Sequence, residues 1–132
     1  MRREHALQFV GAMVEAHTSM NGEYVGQLVE VTTDRPWRGR VLLTGVLAPA
    51  AIEDSYGTRQ RRGHKLGTIL EVGGANIVAP ARRPGTSYIE ALRRDLQAKE
   101  LTLATGGYHR KDERMLREIA EHRRRQLAEY GR

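Results

Sequence analysis

The chain has 132 residues, enough for one modest domain or a small domain with helical additions. Hydrophobic residues make up 39% and are spread along the chain, which argues for a folded protein, and no run of about 18 apolar residues is present to span a membrane. The absence of cysteine excludes disulfides and thiolate metal sites, and the formal charge of +6, carried mostly by arginine, favours polyanionic partners such as RNA or DNA.

The first segment, "MRREHALQFVGAMVEAH", opens with charge and contains Glu15, so it does not read as a secretory signal, and a cytoplasmic setting is expected. From Arg3 to Ala16 the spacing predicts a helix. Ala6, Val10, Met13 and His17 recur at three- and four-residue intervals, as do Leu7, Val10 and Val14. "HTSMNGE" then supplies turn residues.

From Tyr24 to Pro80 the period changes. "YVGQLVEVTT" alternates, with Val25, Leu28/Val29 and Val31 marking a half-buried strand. "DRPWRG" is a turn, and "RVLLTGVLAPAAI" is a long strand bent at Gly45. "EDSYGTRQRRGHK" is a polar loop, followed by the strands "LGTILEV" and "NIVAP". Between them, Gly73, Gly74 and Asn76 predict a tight connection that uses positive backbone φ angles. Short strands joined by such turns read as a small, strongly bent antiparallel barrel.

The last third is helical. "SYIE" is a capping box, with Ser87 as N-cap and Glu90 three residues on. Ile89, Leu92 and Leu96 share one face, and Gly106–Gly107 interrupts the chain. Asp112 is placed to cap a last helix with a stripe of Leu116, Ile119, Ala120 and Leu127, ended by Gly131. Arg123 falls in that stripe, with its stem expected to pack while its head reaches water. The expected organisation is an N-terminal helix plus barrel over residues 1–81 and a helical extension over 82–132.

The order of elements resembles the Sm and Sm-like (Hfq-type) RNA-binding family. "GQLVEVTTDRPWRGRVLLTG" is similar to its first motif, with Gly39 as the glycine of strand two. "LGTILEVGGANIV" is similar to its second, matched at Gly74, Asn76 and Ile77. Small barrels of the SH3-like and KOW types share this strand pattern. The resemblance implies a five-stranded bent barrel and a tendency to form rings by pairing strand four of one subunit with strand five of the next. It also implies a base-binding pocket, but this chain departs from the family there. Gly73 stands where the family has an arginine, Ala75 at the next variable position, and Gly45 and Pro49 where it has Asp and Asn. The pocket is therefore expected to be absent, leaving Gly39, Gly74 and Asn76 as residues of the turns.

If nucleic acid binds, basic segments must do it. Arg59, Arg61, Arg62 and Lys65 in "TRQRRGHK" can neutralise phosphates, and Trp37 with Arg38 and Arg40 in "RPWRGR" combines a stacking face with cations. The alternatives are a charged, solvated hairpin loop and a tryptophan that covers the end of a barrel. The last helix interleaves Arg114, Arg117, Arg124 and Arg125 with Glu118 and Glu121, which predicts solvated ion pairs.

Catalytic patterns are missing. The five histidines are scattered, no HExxH, GxSxG or phosphate-loop motif occurs, and Glu53 and Asp54 are adjacent. The reading is a non-catalytic nucleic-acid-binding small barrel without cofactor or metal. The alternative is a structural or protein-interaction module in a homo-oligomer assembled through its strand edges.

Overall fold

Alternating apolar residues build the central hairpin. The computed structural model of the chain describes residues 1–52 and 62–130. In β3 (Arg38–Ala48), Gly39, Val41 and Leu43 face inward while Arg38, Arg40 and Thr44 face out. β2 (Glu23–Val31) contributes Tyr24, Val25, Leu28 and Val31 to the core. The pairing of the two strands slips beside Val25/Gly26, where Thr44 is the extra residue next to Gly45. Such a bulge increases local twist, so the expected bend at Gly45 is present. The same glycine also lets Gly85 lie against the strand, where a Cβ would come within 2.8 Å of the Gly85 Cα.

Three shorter strands, β1 (Met13–His17), β4 (Ile69–Gly73) and β5 (Ile77–Val78), complete an antiparallel sheet in the order β4-β3-β2-β1-β5. β4 and β5 lie on opposite edges, yet only Gly74–Asn76 separates them. Flat, the edges would stand about 19 Å apart, four strand spacings. Four residue steps reach at most about 14 Å, and a 3-10 turn reaches less. The sheet must therefore roll up. No ladder joins β4 to β5 among the described residues, so the result is a rolled but open sheet. Together with the helices this is a small mixed fold built on five bent antiparallel strands.

Two expectations about local structure fail for identifiable reasons. The predicted helix over Arg3–Ala16 is only α1 (Arg3–Leu7), and Met13–His17 is a strand. Gly11 at φ +92° breaks the helix, and pairing with β2 buries Val14 and Ala16. Val10 and Met13, which carried the helical period, are exposed. In the second case, Gly73, Gly74 and Asn76 form a crossover rather than a hairpin, and none has positive φ. Gly74 is needed for space, because the Trp37 ring occupies the volume of its missing side chain. Gly39, assigned to strand two by the resemblance, lies in the third strand, where its missing side chain makes room for Ile77 and Leu28. Asn76 is exposed at the turn.

Residues 81–86 cross the outer face of the sheet as a strap. Ala81 N donates to Met13 O (2.8 Å), and Thr86 exchanges two backbone hydrogen bonds with Val46 (2.7 and 2.9 Å). Ser87 then caps α2 (Tyr88–Thr105), accepting from Glu90 N at 3.2 Å. Gly106 and Gly107, both at positive φ, turn the chain into a short 3-10 segment, Arg110–Asp112, which runs into α3 (Glu113–Tyr130). Leu92, Ala120 and Arg123 are buried where these helices pack. Gly131 lies outside the described residues.

Under the strap sits Glu15, only 2% exposed. Its carboxylate accepts from Arg82 N (2.7 Å) and Arg83 Nη2 (2.9 Å), and His17 Nε2 lies 3.1 Å away. Arg83 and His17 also reach Glu23, which ties strap, β1 and β2 into one cluster. Burial alone would raise the Glu15 pKa. The hydrogen bonds from Arg83, the Arg82 amide and His17 outweigh it and hold the carboxyl below its ordinary value. A depressed carboxyl contributes stability above its unfolded-state pKa and loses it as pH falls through the folded one. Thermal unfolding between pH 7 and pH 2.5 should show a flat midpoint at neutral pH and a decline below about pH 4, the ordinary carboxylate range. Glu15→Gln should cost about 2 kcal/mol at neutral pH and make the acid decline shallower. An unchanged acid limb in the variant would contradict this assignment.

Candidate functional site

The turn between β2 and β3 brings Trp37, Arg38 and Arg40 together, but their capacity is largely used within the fold. Arg38 donates to Asp34 Oδ2 (2.6 Å) and pairs with Glu71 (3.2 Å). Arg40 pairs with Glu30 across the hairpin at 3.1 Å. Trp37 is half-buried, packs on the core over Gly74, and donates from Nε1 to Met1 O at 3.3 Å. The hollow beside it, about 430 Å³, carries Glu4 and Asp34 along with Arg3 and Arg35, so its charge is balanced. This turn packs on the β4–β5 crossover, where Gly74 N donates to Trp37 O at 3.1 Å.

Of the basic loop, Arg59 and Arg61 lie outside the described residues, while Arg62 and Lys65 are placed. The segment after Arg61 is fixed by a polar knot. Asn21 Nδ2 donates to Arg62 O at 2.8 Å, and His64 N donates to the Tyr24 hydroxyl at 2.8 Å. The Tyr24 hydroxyl in turn donates to Asn21 O at 2.7 Å, and the Tyr88 hydroxyl donates to His64 O. Tyr88 also lies 3.0 Å from the Tyr24 hydroxyl. Burial, then the contact with Tyr24, pushes the Tyr88 phenol far above the ordinary tyrosine range, so it stays a neutral hydroxyl.

This knot is one wall of a groove of about 1000 Å³. On the sheet side the groove is lined by Pro49, Ala50 and the stretch Arg62–Leu66. On the helix side it is lined by Tyr88 and Leu92 of α2 and by residues from His122 to Tyr130 of α3, including Arg125 and Glu129. Arg62, Lys65 and Arg125 thus converge from distant parts of the chain, and no carboxylate among the described residues pairs with them. Tyr88, Tyr130, Leu66 and Leu92 line the same groove. Cations interleaved with aromatic faces suit an anionic ligand that also has flat or apolar parts.

Sequence pattern pointed to Arg62 and Lys65 but not to Arg125, Tyr88 or Tyr130. The helix surface otherwise behaves as expected: Arg114 pairs with Glu118 (3.0 Å), Arg117 with Glu113 (2.9 Å) and Arg124 with Glu121 (3.3 Å). Arg125 has glutamates at both four-residue offsets, Glu121 and Glu129, so spacing predicts another pair. Only the docking of α3 turns it into the groove. The Arg123 head, expected in water, is instead buried. It donates to Asp95 Oδ2 (2.7 Å), Gln126 Oε1 (2.9 Å) and Ala50 O (3.1 Å). Among the described residues no three His, Asp or Glu side chains gather as a metal site, and no helix is long and apolar enough to cross a membrane.

No protein-family model and no curated protein matches the chain. Its fold is similar to the crystal structure of kinase-associated protein B from Bacillus cereus. The TM-score is 0.59 at 18% sequence identity, over 93% of this chain and 97% of that one. At this identity the likeness is one of fold, and it includes the helical extension.

Proposed function

We propose that the protein is a non-catalytic binding module that takes single-stranded nucleic acid along the groove between sheet and helices. The observation that carries this reading is the convergence of Arg62, Lys65 and Arg125 beside Tyr88 and Tyr130, while Arg38 and Arg40 are neutralised by acidic partners. Phosphates would be met by the three cations and bases by the tyrosine faces, which gives affinity with little sequence preference.

Fluorescence anisotropy with labelled single-stranded RNA, single-stranded DNA and duplex DNA tests it over a salt series. Three phosphate contacts predict a slope of log affinity on log salt near −2, since each contact on a single strand adds about −0.7. The triple variant Arg62→Glu, Lys65→Glu, Arg125→Glu should abolish binding, and Arg38→Gln with Arg40→Gln should leave it nearly unchanged. Absence of binding at about 50 mM salt would sink the reading, because that is where polyanion binding is strongest.

A second reading, a protein-interaction module, has its own support. Among the described residues the outer edges of β4 and β5 carry no further strand, and Ile69 on β4 is 59% exposed. The similar structure bears the name of a kinase-associated protein. A concentration-dependent change in mass by light scattering, lost when Ile69 becomes lysine, would favour this reading.

A further inference from the structure

We infer that Arg123 is the positioning residue of the groove: its buried guanidinium sets the wall made by the last helix against the wall made by the sheet. This rests on the groove being the binding site. Arg123 lines none of it, yet two of its three hydrogen-bond acceptors, Ala50 O and Gln126 Oε1, belong to groove-lining residues on opposite walls. The third, Asp95 Oδ2 at 2.7 Å, belongs to α2 and is braced by Lys99 at 3.0 Å. One planar fork therefore joins the end of the strand segment, α2 and α3, and Arg125 is its immediate neighbour on α3. Arginine suits the role because its donors diverge in a fixed plane, whereas a lysine ammonium has no such fork.

Stability alone is a weak account of this residue. A buried ion pair can often be replaced by apolar side chains of similar volume with little loss, and its distinct contribution is to fix one arrangement among several. Without the fork, α3 would still pack on α2, with Ala120 buried and Leu116 and Ile119 half-buried, but the bond to Ala50 that ties it to the sheet-side wall beside Arg125 would be lost.

The test compares Arg123→Met/Asp95→Leu, which removes the pair while keeping volume and leaves only the part-exposed Lys99 ammonium to be solvated, with Arg125→Gln. The same single-stranded RNA is titrated over the same salt series, well below each protein's unfolding temperature. The paired replacement should remain folded by circular dichroism. It should weaken binding by about tenfold, the scale of one charge-assisted contact. Its salt slope should become shallower by about 0.7, as in Arg125→Gln. Adding Arg125→Gln to the paired replacement should cost little more, because the two changes remove the same contact. A folded paired variant with wild-type affinity and slope, or full additivity with Arg125→Gln, would overturn the assignment and leave the groove reading standing. Failure of the wild-type protein to bind would instead sink the groove reading, and this inference with it.

Discussion

Gly26→Ala should destabilise the protein by about 3 kcal/mol or more, at the upper end of what overpacking does. Gly26 sits in β2 at the slip in pairing with β3, fully inside the sheet. A Cβ there would overlap the Leu42 carbonyl oxygen and lie 2.8 Å from the Leu42 carbonyl carbon and 2.9 Å from Val41 Cγ1. Two of these atoms are backbone in the neighbouring strand. A flexible side chain can swing away from such a clash, but a hydrogen-bonded strand cannot move without breaking its ladder. Urea unfolding should show a lower midpoint or outright insolubility. Gly11→Ala is a useful contrast: a Cβ there meets nothing within 4 Å, and only the backbone penalty of its φ of +92° applies. A Gly26→Ala midpoint within experimental error of the wild type would show that the hairpin is less tightly coiled than described here.

Arg123→Ala should also be severe, with a loss of about 3 kcal/mol, because it removes a buried guanidinium with three acceptors and leaves the half-buried Asp95 only Lys99 as a partner. Burial alone would raise the Asp95 pKa, but hydrogen bonds from Arg123 and Lys99 and their charge keep it below its ordinary value. Removing Arg123 takes away the larger of these effects and opens a cavity beside Ala50. The loss should therefore shrink as pH falls, since protonated Asp95 no longer needs the cation. Denaturant midpoints at pH 7 and pH 2.5 would check this, with Arg123→Ala approaching the wild type at the lower pH, below the ordinary aspartate range. An equal loss at both pH values would mean that packing, rather than charge, dominates at this residue.

The parts of the fold that sequence revealed are those where local pattern and tertiary burial agree. β3 alternates cleanly from Arg38 to Thr44, the Ser87–Glu90 cap is explicit, and the Gly106–Gly107 break is unambiguous. The first strand was hidden because Val10 and Met13 mimic a helical period while the true inward residues, Val14 and Ala16, flank the polar Glu15. Nothing local marks Glu15 as buried or the strap as its cover, because each is explained only by the other across 67 positions. The candidate site has the same character. Its sheet-side cations stand in a conspicuous basic run, but its third cation and Tyr130 are joined to them only by the docking of the last helix, and Tyr88 by that of α2. The prominent tryptophan motif stands apart from the groove: Asp34, Glu30 and Glu71 lie near its arginines in space and pair with them.

The rolled sheet also bears on the order in which the chain folds. The β2–β3 hairpin closes over a short loop, whereas the bond from Arg82 N to Glu15 spans 67 positions and the one from Arg83 spans 68. Closing so long a loop carries an entropic cost that grows with the logarithm of its length, and proteins dominated by such pairings fold slowly. β5 and the strap can add their contacts only after the central strands have formed a surface to receive them. Changes in β5 or beneath the strap should therefore act mainly on the rate of unfolding, and changes in the central hairpin on the rate of folding. The strap that joins sheet to helices is also the bolt that fastens last, and its strength governs how long the folded molecule persists.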